Sequence, residues 1–193
     1  MDRPLHIISA NMHSVMNSLF AKKALAEEFP DNESLDIYEA LGSDKNKSLN
    51  KKVRNLAQSN GMIFLEDESG ANIDVQIFDT AKFGSKSCCY QLPSDVAEED
   101  KPVIFVMDYA FGEQAYETID ELLKPMEDGK EKVFLNVDSV SIMGKAGILE
   151  GGKGDLMIPS AHIFEGTADN YPFNNELSGS DFEGHGLKVM RSE

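Results

Sequence analysis

Residues 103–107, Val-Ile-Phe-Val-Met, limit the fold more than any other stretch. An uninterrupted apolar run of this length, bounded by Pro102 and by the polar pair Asp108-Tyr109, reads as a strand covered on both faces. Asp108 to Gly112 then reads as a turn. Ala115, Ile119, Leu122 and Leu123 make the apolar stripe of a helix that ends near Pro125, and Val133 to Val137 reads as the next strand. A strand, a helix and a strand of these lengths form a βαβ unit, whose two strands lie parallel and whose crossover is right-handed. The chain is therefore expected to be an α/β protein.

The rest of the chain supplies further elements. Leu5 to Ser9 reads as a short apolar strand. Met12, Val15, Met16 and Leu19 recur at helical spacing, with Lys22 and Lys23 in the C-terminal half and Pro30 as the stop. The turn Asn11-Met12-His13 either caps this helix, with His13 on the surface, or faces a ligand. In residues 31–61, Leu49, Val53, Leu56 and Ala57 form one helix face and Lys51, Lys52 and Arg54 the other. Met62 to Leu65 reads as a strand. Ile73, Val75 and Ile77 alternate with Asp74 and Gln76, as in a half-buried antiparallel or edge strand. Thr80 to Leu92 has no clear period. Pro93 to Pro102 is an acidic surface loop that does not divide the chain, so residues 1–193 are expected to be a single α/β domain.

Charge and cysteine content exclude some roles. The formal net charge is −16, which repels nucleic acid and anionic membrane surfaces. A small anionic substrate needs only local donors and is not excluded. No apolar run approaches the roughly 20 residues that span a bilayer, and the start, MDRPLHIISA, lacks the pattern of a signal peptide. Cys88 and Cys89 are adjacent, which suits neither a structural disulfide between them nor metal-ligand spacing. A cytoplasmic location fits best, with no metal and no cofactor.

Residues 133–173 concentrate the remaining signal. An apolar run leads into Gly144-Lys145-Ala146-Gly147, and Gly151, Gly152 and Gly154 break the chain before Asp155. Leu156, Met157 and Ile158 restart an apolar run that Pro159 ends. Glycines serve either a tight connection between core strands or close approach of a ligand to the backbone, and spacing alone does not separate the two.

Residues 103–173 resemble the nucleoside phosphorylase and nucleosidase superfamily. VIFVMDYAFGEQAYETIDELL is similar to that family's strand, glycine turn and helix. Gly144 to Leu149 resembles its Gly-Thr/Ser-Ala-Gly-Gly-Leu turn, and Gly154 to Ser160 resembles its Gly-Asp-(hydrophobic)₃-Pro-Thr segment. Glu165-Gly166-Thr167 follows at about the family's distance. The resemblance implies a three-layer α/β/α fold with a mixed, mainly parallel central sheet. It implies cleavage of the N-glycosidic bond of a nucleoside or nucleotide, with water or phosphate (then a co-substrate) as nucleophile, and a homo-oligomer. It places ligand contacts at Gly144, Lys145, Ala146, Gly147, Gly166 and Thr167. Glu165 would hold a hydroxyl or water, and His162 would donate to an oxyanion or base.

The chain also departs from that pattern. Ile142 stands where phosphorylases carry an Arg, and Ile163 and Phe164 fill the place of a second Arg. Lys145 replaces a hydroxyl residue and is either a phosphate ligand or a solvated turn residue. The family's Met-Glu-Met-Glu segment and catalytic Asp have no counterpart, and the chain is expected to be incomplete at its C-terminal side. Two other readings follow: a non-catalytic relative that serves as a binding or assembly domain, or an unrelated α/β domain.

Overall fold

The computed structural model describes residues 3–31, 34–90, 93, 95–129, 131–144, 147, 151–152, 155–163, 166, 170–172 and 174–184. The chain divides into two units, Met1–Lys145 and Ala146–Glu193.

The first unit is α/β. Strand β1 (Leu5–Ser9) leads into helix α1 (Met12–Ala24), followed by α2 (Ser34–Leu41) and α3 (Lys47–Ser59). Strands β2 (Met62–Leu65), β3 (Val75–Asp79) and β4 (Val103–Met107) come next, then α4 (Gly112–Leu123). A short hairpin of β5 (Met126–Asp128) and β6 (Glu131–Val133) precedes β7 (Val137–Ile142). The sheet order is β2-β3-β4-β1-β7. Strand β1 pairs in parallel with both β4 and β7, whereas β3 is antiparallel to β2 and β4. The β4–α4–β7 crossover therefore steps over β1, which lies between its two strands.

The second unit holds a small antiparallel pair, β8 (Ala161–Ile163) and β9 (Asn170–Pro172), and a capping box in which Ser178 and Asp181 close a 3₁₀ turn. Leu156 to Ile158 does not form a strand.

The expected strand at Val133–Val137 is displaced. Val133 closes the β5–β6 hairpin, Phe134 is largely exposed, and the parallel strand begins at Val137. Pairing is set by β1: the Leu5 N–H donates to the Asn136 carbonyl at 2.8 Å, and Ile7 lies opposite Val140. As an edge strand, β7 has only Val137 and Ser139 half-buried and does not need a continuous apolar run. Helix α1 also ends earlier than Pro30, at Ala24.

Two cores flank the sheet. On one face α1, α2 and α3 bury Met16, Leu19, Phe20, Ile37, Val53 and Ala57 against Met62, Phe78 and Val106. On the other, Leu5, Ile7 and Val103 pack with Ile77, Phe105 and Ile119 of α4. The second face is less completely covered: no residue of α4 is buried, and Ile63, Leu65 and Val140 are about half exposed. This imbalance shifts the phase of β3. Gln76 and Phe78, which face the three helices, are buried, while Val75 and Ile77 are only half-buried.

Phe20 is the keystone of the larger core. It is fully buried, its ring lies 6.2 Å from that of Phe78, and it meets Phe83 edge-on at 5.5 Å. Replacing Phe20 by Ala should cost about 3–5 kcal/mol, against less than about 0.5 kcal/mol for the exposed Tyr116→Ala. Urea denaturation of the two variants checks this, and equal small losses would move the core elsewhere.

Arg3 ties three chain segments together. Its guanidinium donates to the Lys101 carbonyl at 2.7 Å, to Asp79 at 2.8 Å and to the Pro102 carbonyl at 3.3 Å. Burial pushes the Asp79 carboxyl up, but Arg3, the Ala81 N–H and Lys82 together hold it below its ordinary value. A depressed carboxylate contributes stability above its unfolded pKa, near 3.9, and loses that contribution as pH falls through the lower folded value. Asp79→Asn should therefore cost about 1–3 kcal/mol at pH 7, and the gap to the parent should narrow steadily below about pH 4. A gap that is constant with pH would remove this ion pair from the account.

Candidate functional site

A groove of about 1050 Å³ opens between α1, the end of α2 and α3, near the carboxyl end of β1. Its volume is at the upper end of the range for small-molecule sites, roughly 300–1,000 Å³. Each wall follows from local sequence.

The first wall begins where β1 gives way to α1. Asn11 caps the helix: its side-chain oxygen accepts from the His13 N–H at 3.0 Å, and its carbonyl accepts from the Ser14 N–H at 2.9 Å. Asn11, Ser14 and Ser18 fall at helical spacing along the groove, with Asn17 beside them and Met16 buried beneath. His13 is exposed at this end. The two readings of the Asn11–His13 turn are thus compatible, since the cap forms and both residues also line the groove. The side-chain oxygen of Asn17 is buried without a hydrogen-bond partner.

The second wall is the end of α2, where Tyr38 and Leu41 precede Gly42 and Ser43. A helix C-terminus leaves carbonyls without intrahelical partners. Here Asn46 donates to the Ala40 carbonyl at 3.0 Å and Asn50 donates to the Leu41 carbonyl at 3.1 Å. These bonds fix α2 to α3.

The third wall is a polar stripe of α3. Lys47, Asn50, Lys51 and Arg54 recur at i, i+3, i+4 and i+7, beside the apolar stripe Leu49, Val53, Leu56 and Ala57 that packs on the core. The Arg54 guanidinium lies 5.2 Å from the centre of the Phe64 ring, which holds its position. No carboxylate lines the groove among the described residues, and none is paired there with Lys47, Lys51 or Arg54. Lys52, which does not line the groove, pairs with Glu28. In a chain with 34 acidic and 18 basic residues, a cleft lined by three cations and no acid is a local reversal of sign. Such a cleft concentrates anions.

A Ser-His-Asp grouping elsewhere does not form a catalytic triad. His6 Nδ1 lies 2.7 Å from Ser139 Oγ and 3.7 Å from Asp138. Both partners meet the same ring nitrogen, so the imidazole cannot take a proton from one while held by the other. The contact joins β1 to β7.

Of the residues implied by the family resemblance, Lys145, Ala146, Glu165 and Thr167 lie outside the described residues. Gly144 follows β7 at its carboxyl end, where the Met143 N–H donates to the Ser9 carbonyl at 2.9 Å. Gly147 belongs to the second unit, as do His162, opposite Tyr171 in the β8–β9 pair, and Gly166. Neither Gly144 nor Gly147 has a positive φ, and a Cβ at either would meet nothing within 4 Å. The fold itself does not demand glycine at these two positions. Reasoning from sequence missed the groove. The signal was present in part on α3, where Lys51, Lys52 and Arg54 were read only as the face opposite the apolar stripe.

Among the described residues no helix is long and apolar enough to cross a membrane. No group of three or more His, Cys, Asp or Glu among them is placed to hold a metal ion. No curated protein and no solved structure matches the chain. A family model does match: it spans residues 37–188, taking in α3 and α2 from Ile37 onward but not α1. That match covers well over half of the chain, and the protein belongs to the family described as Family of unknown function (DUF6909).

Proposed function

We propose that this chain binds a small anionic molecule in the groove between α1, α2 and α3. The observation that carries the reading is the stripe of Lys47, Lys51 and Arg54, three cations without a carboxylate partner among the described residues. Their placement is locally unfavourable. Lys47 stands in the first turn of α3, where the helix dipole disfavours positive charge, and no acid stands there to offset it. Lys47 and Lys51 are an i,i+4 like-charge pair, which destabilises a helix by a few tenths of a kcal/mol. An anion in the groove reverses both effects.

Titration calorimetry with inorganic phosphate at low salt tests the reading. Binding is expected, and it should weaken as ionic strength rises. The double variant Lys47→Ala/Lys51→Ala should lose most of the affinity while melting within a few degrees of the parent, because both side chains are exposed. Absence of binding, or unchanged affinity in the double variant, would remove the groove as an anion site.

A second reading is N-glycosidic bond cleavage in a nucleoside or nucleotide, with phosphorylase-like sites at the Gly144 turn and at His162 and Glu165. What supports it is the resemblance of residues 103–173, together with the position of Gly144 after a strand parallel to β1. Ligands in open α/β sheets bind outside the carboxyl ends of parallel strands. Incubation with AMP, adenosine, inosine and uridine, with and without phosphate, should release free base on this reading. Release without phosphate identifies a nucleosidase, and release only with phosphate identifies a phosphorylase. A folded sample that releases none of the bases leaves a binding domain.

A further inference from the structure

We infer that the ligand of the groove is a phosphate ester with a polyhydroxylated body, either a sugar phosphate or the ribose phosphate part of a nucleotide. This rests on the reading of the groove as an anion site and adds the chemistry of the rest of the ligand.

The argument starts from the size of the cleft. The groove, about 1050 Å³ and open to solvent, has room for a molecule larger than one tetrahedral anion. The polar groups are then unevenly distributed. Lys47, Lys51 and Arg54 all stand on α3, whereas α1 offers His13 at its start and then the amide and hydroxyls of Asn17, Ser14 and Ser18. A molecule with one charged end and a neutral hydrogen-bonding body matches that division. Hydroxyls are the group that carboxamides and serines complete best, since each side donates and accepts.

What the lining lacks narrows the class further. No carboxylate is present among the described residues to receive an ammonium group, which disfavours amino acids and polyamines. The apolar side chains in the lining are Met16, Leu41 and the Tyr38 ring.

Asn17 supplies an independent observation. It lines the groove, yet its side-chain oxygen is buried and has no partner among the described residues. Buried polar atoms in folded proteins are nearly always paired. A carboxamide that makes no internal hydrogen bond among the described residues can turn about its last bond, and a hydroxyl, which both donates and accepts, pairs with whichever end faces the groove.

Calorimetry with the full chain compares inorganic phosphate, ribose, ribose 5-phosphate, glucose 6-phosphate and AMP. At least one of the phosphate esters should bind about tenfold or more tightly than inorganic phosphate, because a site built to hydrogen-bond hydroxyls discriminates against a ligand that lacks them. Ribose alone should bind more weakly than its phosphate. Asn17→Ala should reduce the advantage of the ester over phosphate while leaving phosphate affinity nearly unchanged, and its melting temperature reports whether it is folded. The comparison across ligands with the parent protein decides the matter even where that variant does not fold. AMP binding more tightly than ribose 5-phosphate, with the difference lost in Tyr38→Ala, identifies a nucleotide; the reverse order identifies a free sugar phosphate. Phosphate and all the esters binding equally, with sensitivity to Lys47→Ala/Lys51→Ala, overturns this inference and leaves the anion site standing. No binding by any of the anions overturns both.

Discussion

The first unit depends on the double pairing of β1. This strand is hydrogen-bonded on one edge to β4 and on the other to β7, with Leu5 and Ile7 in one core and Ile8 against the other. Parallel strands are stable only when both faces are covered, so helices are required on both sides. They are distributed unevenly: three fall on one face, one on the other. The fuller face contains Phe20, Phe78 and the deepest core. It also places α1 beside α3, and their exposed edges then form a groove. The groove is a consequence of how the sheet was covered, since α1 leaves the carboxyl end of β1 after only Ala10 and the capping Asn11.

Legibility followed burial. Strands β1 and β4 and helix α1 were visible as apolar runs or stripes because their residues meet a covered face. Strand β7 was misplaced because, at the edge, Val137, Ser139 and Ile142 need not be uniformly apolar, while Val133, Phe134 and Leu135 just before it imitate a core strand. The phase of β3 was misleading for a related reason. The sequence shows apolar residues at 73, 75 and 77, but the face that is best covered receives Gln76 and Phe78. Alternation reveals two faces and does not say which one a neighbouring helix will cover.

The groove was harder to see, and the reason is geometric. Lys47, Lys51 and Arg54 lie on the polar side of an amphipathic helix, and most such stripes face solvent. They become a wall only because α1 is held beside α3, a long-range relation with no local sequence signature. Asn46 and Asn50 were equally opaque. Their amides satisfy the last carbonyls of α2, a role that depends on where the chain turns back at Gly42 and Ser43. The glycine turn had the opposite fate. Gly144 and Gly147 stood out in the sequence, yet neither has the backbone conformation or the crowding that excludes other residues.

Local consistency offers a way to weigh α3. Natural sequences tend to agree with their fold at every level, and the exceptions gather at functional positions. Several cations elsewhere in the described residues have carboxylate partners: Arg3 and Lys82 pair with Asp79, Lys52 with Glu28, and Lys124 with Asp120 and Glu121. The thirteen residues of α3 contain Lys47, Lys51, Lys52 and Arg54 and no acid. An ordinary solvated helix in so acidic a chain would be expected to mix signs, since alternating charges at i,i+4 stabilise it and like charges do not. Arg54 has its partner in the Phe64 ring, a contact that fixes the guanidinium without neutralising it. The helix thus keeps its positive charge aimed at a cleft whose other walls offer no carboxylate among the described residues, an arrangement that stability alone does not favour and that an anionic ligand would complete.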